Sequence, residues 1–368
     1  MKISKIETFS TEFVCFVRVT AENGQYGWGQ VAPYYADITA QVLHRQVAPY
    51  ALGMDIQDID SIVDLVVEKQ HKFPGAYLRR AIGGVDTGLW DMHGRIEQQP
   101  VCSLIGGNPG KVRAYGSSMK RDITPTEEAR RLVALRDQKG FDAFKFRLGA
   151  ECGHDQDEWP GRTEEIVPVM RKAMGDDVAL LVDGNSCYSP PKAIEVGKML
   201  QDNGISHFEE PCPYWEYDQT RQVTAALDID VTGGEQDCEL QNWKLMIDTN
   251  VVNIVQPDIC YLGGINRTMR VSKMAQQAGL PVTPHCANLS MVTLFTMHLL
   301  RAIPNRGKYL EFSIETEDYY PWQYGLFQSD PFVIENGHAT VTDQPGWGVE
   351  IRQDWLDHAK YQSSELDN

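Results

Sequence analysis

The chain has 368 residues, 42% of them hydrophobic, and a formal charge of −17 at neutral pH. That charge speaks against nucleic acid and anionic membrane surfaces as partners, and no apolar run approaches the ~18 residues a membrane span needs. It does not exclude an anionic substrate, because a divalent cation with local lysine and arginine inverts the potential inside a cleft. The length points to one large barrel with an accessory domain, or to two domains. The start, Met1-Lys-Ile-Ser-Lys-Ile-Glu-Thr8, lacks the apolar core of a secretion signal, and the eight cysteines form no Cys-x-x-Cys pair. A cytoplasmic protein with free thiols is expected.

In chain order, strands are expected at Ile3 to Phe9, Phe13 to Thr20 and Tyr26 to Gln30, with Glu22-Asn23-Gly24 turning between the last two. Helical tracts follow from Ile38 to Val47, stopping before Pro49, then from Ile59 to Gln70 and from Leu78 to Gln98. The loop Leu104 to Gly110 marks a boundary. Beyond it the pattern becomes strand–helix alternation. Short apolar strands are expected at 112–115, 143–148, 178–182, 207–209, 230–232, 252–256, 282–283 and 309–312. Between them Thr124-Pro-Thr-Glu127 opens a helix as a capping box, and Gly140, Gly204 and Gly279 close helices. Eight strands with intervening helices make a TIM-type barrel. From Glu317 the chain is irregular, rich in Tyr, Trp and Pro, with strand patterns at 332–334 and 339–341. This part is expected to wrap back onto the N-terminal region. The division expected is therefore 1–111, an α+β cap; 112–316, the barrel; and 317–368, a segment completing the cap.

Three strands end in acid at even intervals: Leu180-Leu-Val-Asp183, His207-Phe-Glu209 and Asp230-Val-Thr-Gly-Gly-Glu235, separated by 26 and 26 residues. One strand, one helix and two loops take roughly that length. Asp183, Glu209 and Glu235 would then meet on one rim as hard oxygen ligands for a single Mg²⁺ ion. Singly, each acid is better explained as a helix cap or a solvated loop residue; three at even spacing, each ending an apolar strand, decide for the metal. Lys145 and Arg147, two residues apart on one strand, point the same way into the barrel, where buried cations need anionic partners. Asp258 and His285 close adjacent strands, so the acid can orient the imidazole as a general base. Glu311 ends the last strand. Asn185, two residues past Asp183, is a candidate for substrate or metal water, or merely a turn residue. Tyr34 and Tyr35 are candidates for substrate contact from the cap, or packing aromatics.

Together these residues resemble the enolase superfamily, in its mandelate racemase and muconate lactonizing branch. The resemblance rests on Gly27-Trp28-Gly29, Leu89-Trp90-Asp91, Leu104-Ile-Gly-Gly107, the Lys145-x-Arg147 strand, Asp183, Glu209-Glu210-Pro211, Gly234-Glu235, the Asp258 and His285 pair, and Glu311. It implies an α+β cap over a modified (β/α)₇β barrel, one Mg²⁺, and removal of the proton α to a carboxylate, with the enediolate held by the metal. Lys145, Asp258, His285 and Glu311 would be catalytic; Arg147, Asn185, Tyr34 and Tyr35 would bind substrate. Two departures matter. The position that carries a second lysine base in the racemases is Arg147, and a guanidinium keeps its proton at any working pH. The segment Glu7 to Phe13 is too short for the long mobile loop often found there.

With His285 the one credible base, the function expected is Mg²⁺-dependent dehydration of an acid sugar, an aldonate or aldarate. A racemase, epimerase or lactone cycloisomerase follows if Lys145 serves as a second acid or base. Metal-dependent phosphate hydrolysis has no need of the dyad. A degenerate member that only binds would not need the intact set. A small carboxylate substrate and a homo-oligomer are expected.

Overall fold

The computed structural model describes residues 1–366. An antiparallel sheet of β1 (Ile3–Ser10), β2 (Cys15–Ala21) and β3 (Tyr26–Gln30) opens the chain. Its face is covered by the helix Ala76–Glu97, and the approach is close for a residue-level reason. A Cβ on Gly27 would fall 2.2 Å from the Gly88 carbonyl oxygen, and one on Gly29 2.3 Å from that of Gly84. Only glycine lets backbone meet backbone at that spacing. The helical tract after β3 does not stop before Pro49. A π-helical turn, Leu43–Val47, shifts the hydrogen-bond register, and Pro49 sits in the first turn of Ala48–Ala51, where its missing N–H leaves no bond unmade.

The barrel strands are β4 (Gly110–Ser117), β5 (Ala143–Arg147), β6 (Ala179–Asp183), β7 (His207–Glu209), β8 (Asp230–Gly233), β9 (Ile254–Val255) and β10 (Leu310–Ser313). They pair in parallel in the order β10-β4-β5-β6-β7-β8-β9. The stretch 282–283 forms no ladder. Val282 instead makes single bridges to Val255 and Arg306, and so stands between β9 and β10. Pro281 and Pro284 flank it, and each proline removes a donor a ladder would use. Thr124 caps the helix Pro125–Lys139 by accepting from the Glu127 N–H, and Gly140 ends it at φ 72°.

Alternation sorts β5 and β6. Phe144, Phe146, Leu180 and Val182 join the large core beneath the helices, whereas Ala143 and Leu181 pack with Tyr115 inside the barrel. Lys145 and Asp183 stand above them on the same inner face, at the strands' C-terminal ends.

The C-terminal segment divides. No strand forms at 332–334; β11 (His338–Val341) pairs with the start of β4, on the barrel, and β12 (Lys360–Glu365) pairs with β1. The chain thus forms an N-terminal capping domain and a C-terminal TIM-barrel-like domain, joined by buried polar contacts. Asp91 accepts from the N–H groups of Trp28 and Trp347, at 2.8 and 2.9 Å, and Asp86 accepts from that of Ile265 at 2.6 Å, at the start of a barrel helix. No described helix is long and apolar enough to cross a membrane, and all eight cysteines are free thiols.

Candidate active site

The C-terminal ends of the barrel strands meet a cleft of about 400 Å³ lined by Tyr34, Met119, Arg121, Arg147, Glu151, Asn185, Glu235, Tyr261, His285, Ala287, Asn288, Tyr319 and Tyr320. Its floor is a buried ionic layer. Lys145 Nζ donates to Glu209 Oε1 at 2.7 Å and lies 2.8 Å from Glu311 Oε1 and 3.6 Å from Asp183 Oδ2. Glu209 accepts from Gln256 Nε2 at 2.8 Å; Glu311 accepts from Ser117 Oγ at 2.8 Å and from the Cys286 N–H at 2.9 Å. The register explains the layer. Arg147 stands opposite Asp183, and Asp183 opposite Glu209, on neighbouring strands.

Burial opposes charge on every member, and the partners decide the outcome. Burial works against the Glu209 carboxylate, but Lys145 overrides it and holds Glu209 well below the usual range. Glu311 falls to about 2 for the same reason. Lys145 is held well above its ordinary value by Glu209 and Glu311, against its own burial. Asp183 contacts Arg147, yet burial keeps its pKa raised.

On the cleft side, His285 Nδ1 lies 2.8 Å from Asp258 Oδ2 and its Nε2 lies 3.4 Å from Glu235 Oε2. Asp258 also accepts from the Tyr261 N–H at 2.9 Å, capping the short helix Ile259–Leu262, so its carboxylate is fixed by the backbone it follows. Burial disfavours the imidazolium, but Glu235 and the Asp258 hydrogen bond outweigh it and lift His285 to about 10. Burial raises Glu235 to about 7 against the pull of His285. With Asp258 on Nδ1, His285 presents Nε2 to the cleft as the proton-transferring atom.

The residues expected from the sequence do not all reach the cleft. Arg147, Asn185, Glu235, His285 and Tyr34 line it. Lys145 and Glu311 are wholly buried in the floor, because their strand positions lie one layer deeper. Tyr35 is 58% exposed and turned outward at φ 50°, opening the helix Ala36–Val42. Glu235 is not at a strand end: β8 stops at Gly233, and Gly234, at φ 107° with the Trp243 ring against it, turns the chain before Glu235. Arg121, Tyr261, Asn288, Tyr319 and Tyr320 line the cleft without having been singled out. Only the Tyr- and Trp-rich composition after Glu317 hinted at the last two.

Asp183, Glu209 and Glu235 reach one rim, but their oxygens turn to Arg147, Lys145 and His285 rather than to one point. Among the described residues no three acidic, imidazole or thiol groups are gathered around a single position. The residues nonetheless fit a divalent cation. Glu210, beside Glu209 and at φ 39°, has a buried Oε1 without a partner. Its pKa is driven well above the usual range by burial and by Glu235, Asp183 and Glu209. Four clustered carboxylates with an orphaned oxygen supply hard donors and excess negative charge, which suits Mg²⁺.

Residues 1–106 match the mandelate racemase / muconate lactonizing enzyme N-terminal domain, and residues 127–355 the enolase C-terminal domain-like family. The arabinonate dehydratase of Saccharolobus solfataricus is 28% identical, over 94% of this chain and 90% of its own. The D-galactarolactone cycloisomerase of Agrobacterium fabrum is 27% identical over 92% and 89%. A crystal structure from Roseobacter denitrificans, described as that of a presumptive racemase, is 67% identical over the whole of both chains, with a TM-score of 0.99. A mandelate racemase/muconate lactonizing protein from Paracoccus denitrificans, crystallised with magnesium, is 27% identical over 99% and 98%, with a TM-score of 0.89. With both domains matched in order, this chain belongs to the enolase superfamily, in the mandelate racemase and muconate lactonizing branch.

Proposed function

We propose that this protein is a Mg²⁺-dependent dehydratase of acid sugars, which removes the proton α to a carboxylate and expels the β-hydroxyl as water. One observation carries the reading: the Asp258–His285 dyad offers one base to the cleft, while the strand position of a second base carries the guanidinium of Arg147. With Glu235 given over to the metal, the ring would lose the partner that chiefly holds it protonated, and His285 Nε2 takes the α-proton; the imidazolium is then stabilised by Asp258 at 2.8 Å. The electron pair of the broken C–H bond forms the C=C bond as the β C–O bond breaks. The proton on His285 passes to the departing hydroxide, and the enol product tautomerises to a 2-keto acid. One group therefore serves first as base and then as acid. Asp183, Glu209 and Glu235 would hold the magnesium ion, which, when bound, supplies Lewis acidity toward the substrate carboxylate. Arg147 and Asn185 stand at the cleft beside Asp183, positioned to orient that carboxylate.

The racemase reading draws on the Roseobacter relative, and it requires an acid or base on the face opposite His285. With Arg147 at the position of the second lysine, Lys145 is the group left for that role, and it is enclosed by Glu209 and Glu311 in the floor, away from the cleft. Turnover of an acid-sugar panel in D₂O separates the two. Dehydration gives a 2-keto acid, and recovered substrate keeps its α configuration even where the proton has exchanged. Inverted substrate without keto acid would overturn the dehydratase.

A further inference from the structure

Arg121 lies four residues past β4, in a loop that nothing above assigns to catalysis. Its guanidinium is held on one side: Nε donates to the Gly149 carbonyl at 3.0 Å, and Nη2 to Asn185 Oδ1 at 2.5 Å. Asn185 Oδ1 also accepts from Arg147 Nη1 at 2.7 Å, and its N–H donates to Asp183 Oδ1 at 2.8 Å, so Arg121 is tied rigidly to the acid rim. Nη1 of Arg121 has no partner among the described residues, and the side chain lines the cleft. Among the described residues no carboxylate pairs with it directly, and Asp183 and Glu151 act on it only at longer range, although the chain carries a surplus of 17 negative charges. The neighbouring cations differ. Arg147 is paired with Asp183, Lys145 with Glu209 and Glu311, and His285 with Asp258 and Glu235. A preorganised arginine whose fork is left open toward a substrate cleft is complementary to an anion in the substrate.

The reacting carboxylate belongs at the acid rim, with its α-carbon before His285. Arg121 is separated from the acids by Asn185, so it matches a second charged group farther along the chain of the same substrate. Tyr319 and Tyr320 also line the cleft and bring phenol groups to it. An aldonate ends in a neutral hydroxymethyl group, which leaves the guanidinium desolvated without a counter-charge. An aldarate ends in a carboxylate, which the fork receives. Resting on the acid-sugar reading above, we infer that Arg121 is a specificity-determining residue for a distal carboxylate, and that the substrate is a diacid.

The test uses binding apart from turnover. The His285→Asn protein, with Mg²⁺ present, is titrated calorimetrically with six-carbon aldarates (galactarate and D-glucarate among them) and with aldonates of matched configuration. At least one aldarate should bind about tenfold or more tighter than its matched aldonate, the scale of one charge-assisted hydrogen-bonded pair. Arg121→Gln in the same background should abolish that margin, weakening aldarate binding more than aldonate binding, and Arg121→Lys should restore part of it. In the active enzyme Arg121→Gln should raise KM for the diacid more than it lowers kcat. Equal binding of every aldarate and aldonate, or a margin that survives Arg121→Gln, would overturn the inference. A preserved diacid margin with no α-proton exchange in any active-enzyme assay would instead sink the dehydratase reading and leave Arg121 standing.

Discussion

The floor of the cleft and its wall are built on different principles. The floor is made by strands in register, so that Lys145, Asp183, Glu209 and Glu311 interlock and each charge is set by its neighbours. The wall comes from segments far apart in sequence: Tyr34 from the cap, and Tyr319 and Tyr320 from the loop after β10. Aromatic contacts hold it together, Trp322 lying 5.8 Å from Phe13, stacked, and 5.6 Å from Tyr34, edge to face. The turn between β1 and β2 is tight, closed by the Thr11 N–H to the Val14 carbonyl at 2.8 Å, so the cap sends no long loop over the cleft from there. The C-terminal segment covers that space instead. A floor of ion pairs fixes the chemistry, and a wall of adaptable aromatics sets what fits above it.

If that contrast is right, damage to the floor costs stability or chemistry, and damage to the wall costs only affinity. The largest effect expected is on Lys145→Met. It leaves Glu209 and Glu311 buried without their cation and should destabilise the fold by about 3–5 kcal/mol, read from the urea midpoint. A variant as stable as the parent would refute the account of the floor.

Glu209→Gln keeps an acceptor for Lys145 but loses the carboxylate. The fold should survive, while turnover at saturating acid sugar falls by about 10³-fold and weakened Mg²⁺ binding is seen by calorimetry. Full activity of the parent enzyme in excess chelator would contradict the metal assignment.

His285→Asn should lose at least about 10²-fold in rate, and Asp258→Asn less, because it orients the ring and carries no proton. The same residue gives a pH test. A histidine raised from 6.5 to about 10 by Glu235 and Asp258, against burial, stabilises the fold fully below 6.5, and that stabilisation is lost as pH rises through about 10. In metal-free protein His285→Asn should therefore flatten the decline of the urea midpoint across that window. If magnesium engages Glu235, as proposed, it removes that support, and the His285 resonance in NMR should titrate lower with Mg²⁺ than without. An unchanged titration would separate Glu235 from the metal site.

The smallest effects belong to the wall. Tyr320→Phe should raise KM about two- to tenfold with kcat nearly constant, the scale of one hydrogen bond. Tyr35→Ala should change neither by more than about twofold, since that ring faces solvent.

Much of the floor could be read directly from residue order. Period-two alternation is a local property, so Lys145 and Arg147 had to share a face, and an apolar strand ending in acid had to deliver Asp183 and Glu209 to a rim. The proximity of Asp258 and His285 followed from their places just past β9 and just past the stretch at Val282 that bridges to it. Depth did not follow. How far Lys145 and Glu311 sit below the cleft depends on strand stagger around the barrel, which no single strand encodes. Even spacing was also an imperfect guide, because the turn at Gly234 carries Glu235 two residues beyond its strand.

The wall could not be read in this way. Tyr34 and Tyr35 are adjacent and chemically alike, yet one lines the cleft and the other meets solvent, because a left-handed backbone at both residues aims them apart. Arg121, Tyr319 and Tyr320 stand on loops about 200 residues apart that meet only once β10 pairs with β4 and closes that side of the barrel. Sequence order determined the strands and the charges they carry, since those depend on neighbours along the chain. The tertiary structure decided which charges were left without partners, because pairing depends on every strand at once.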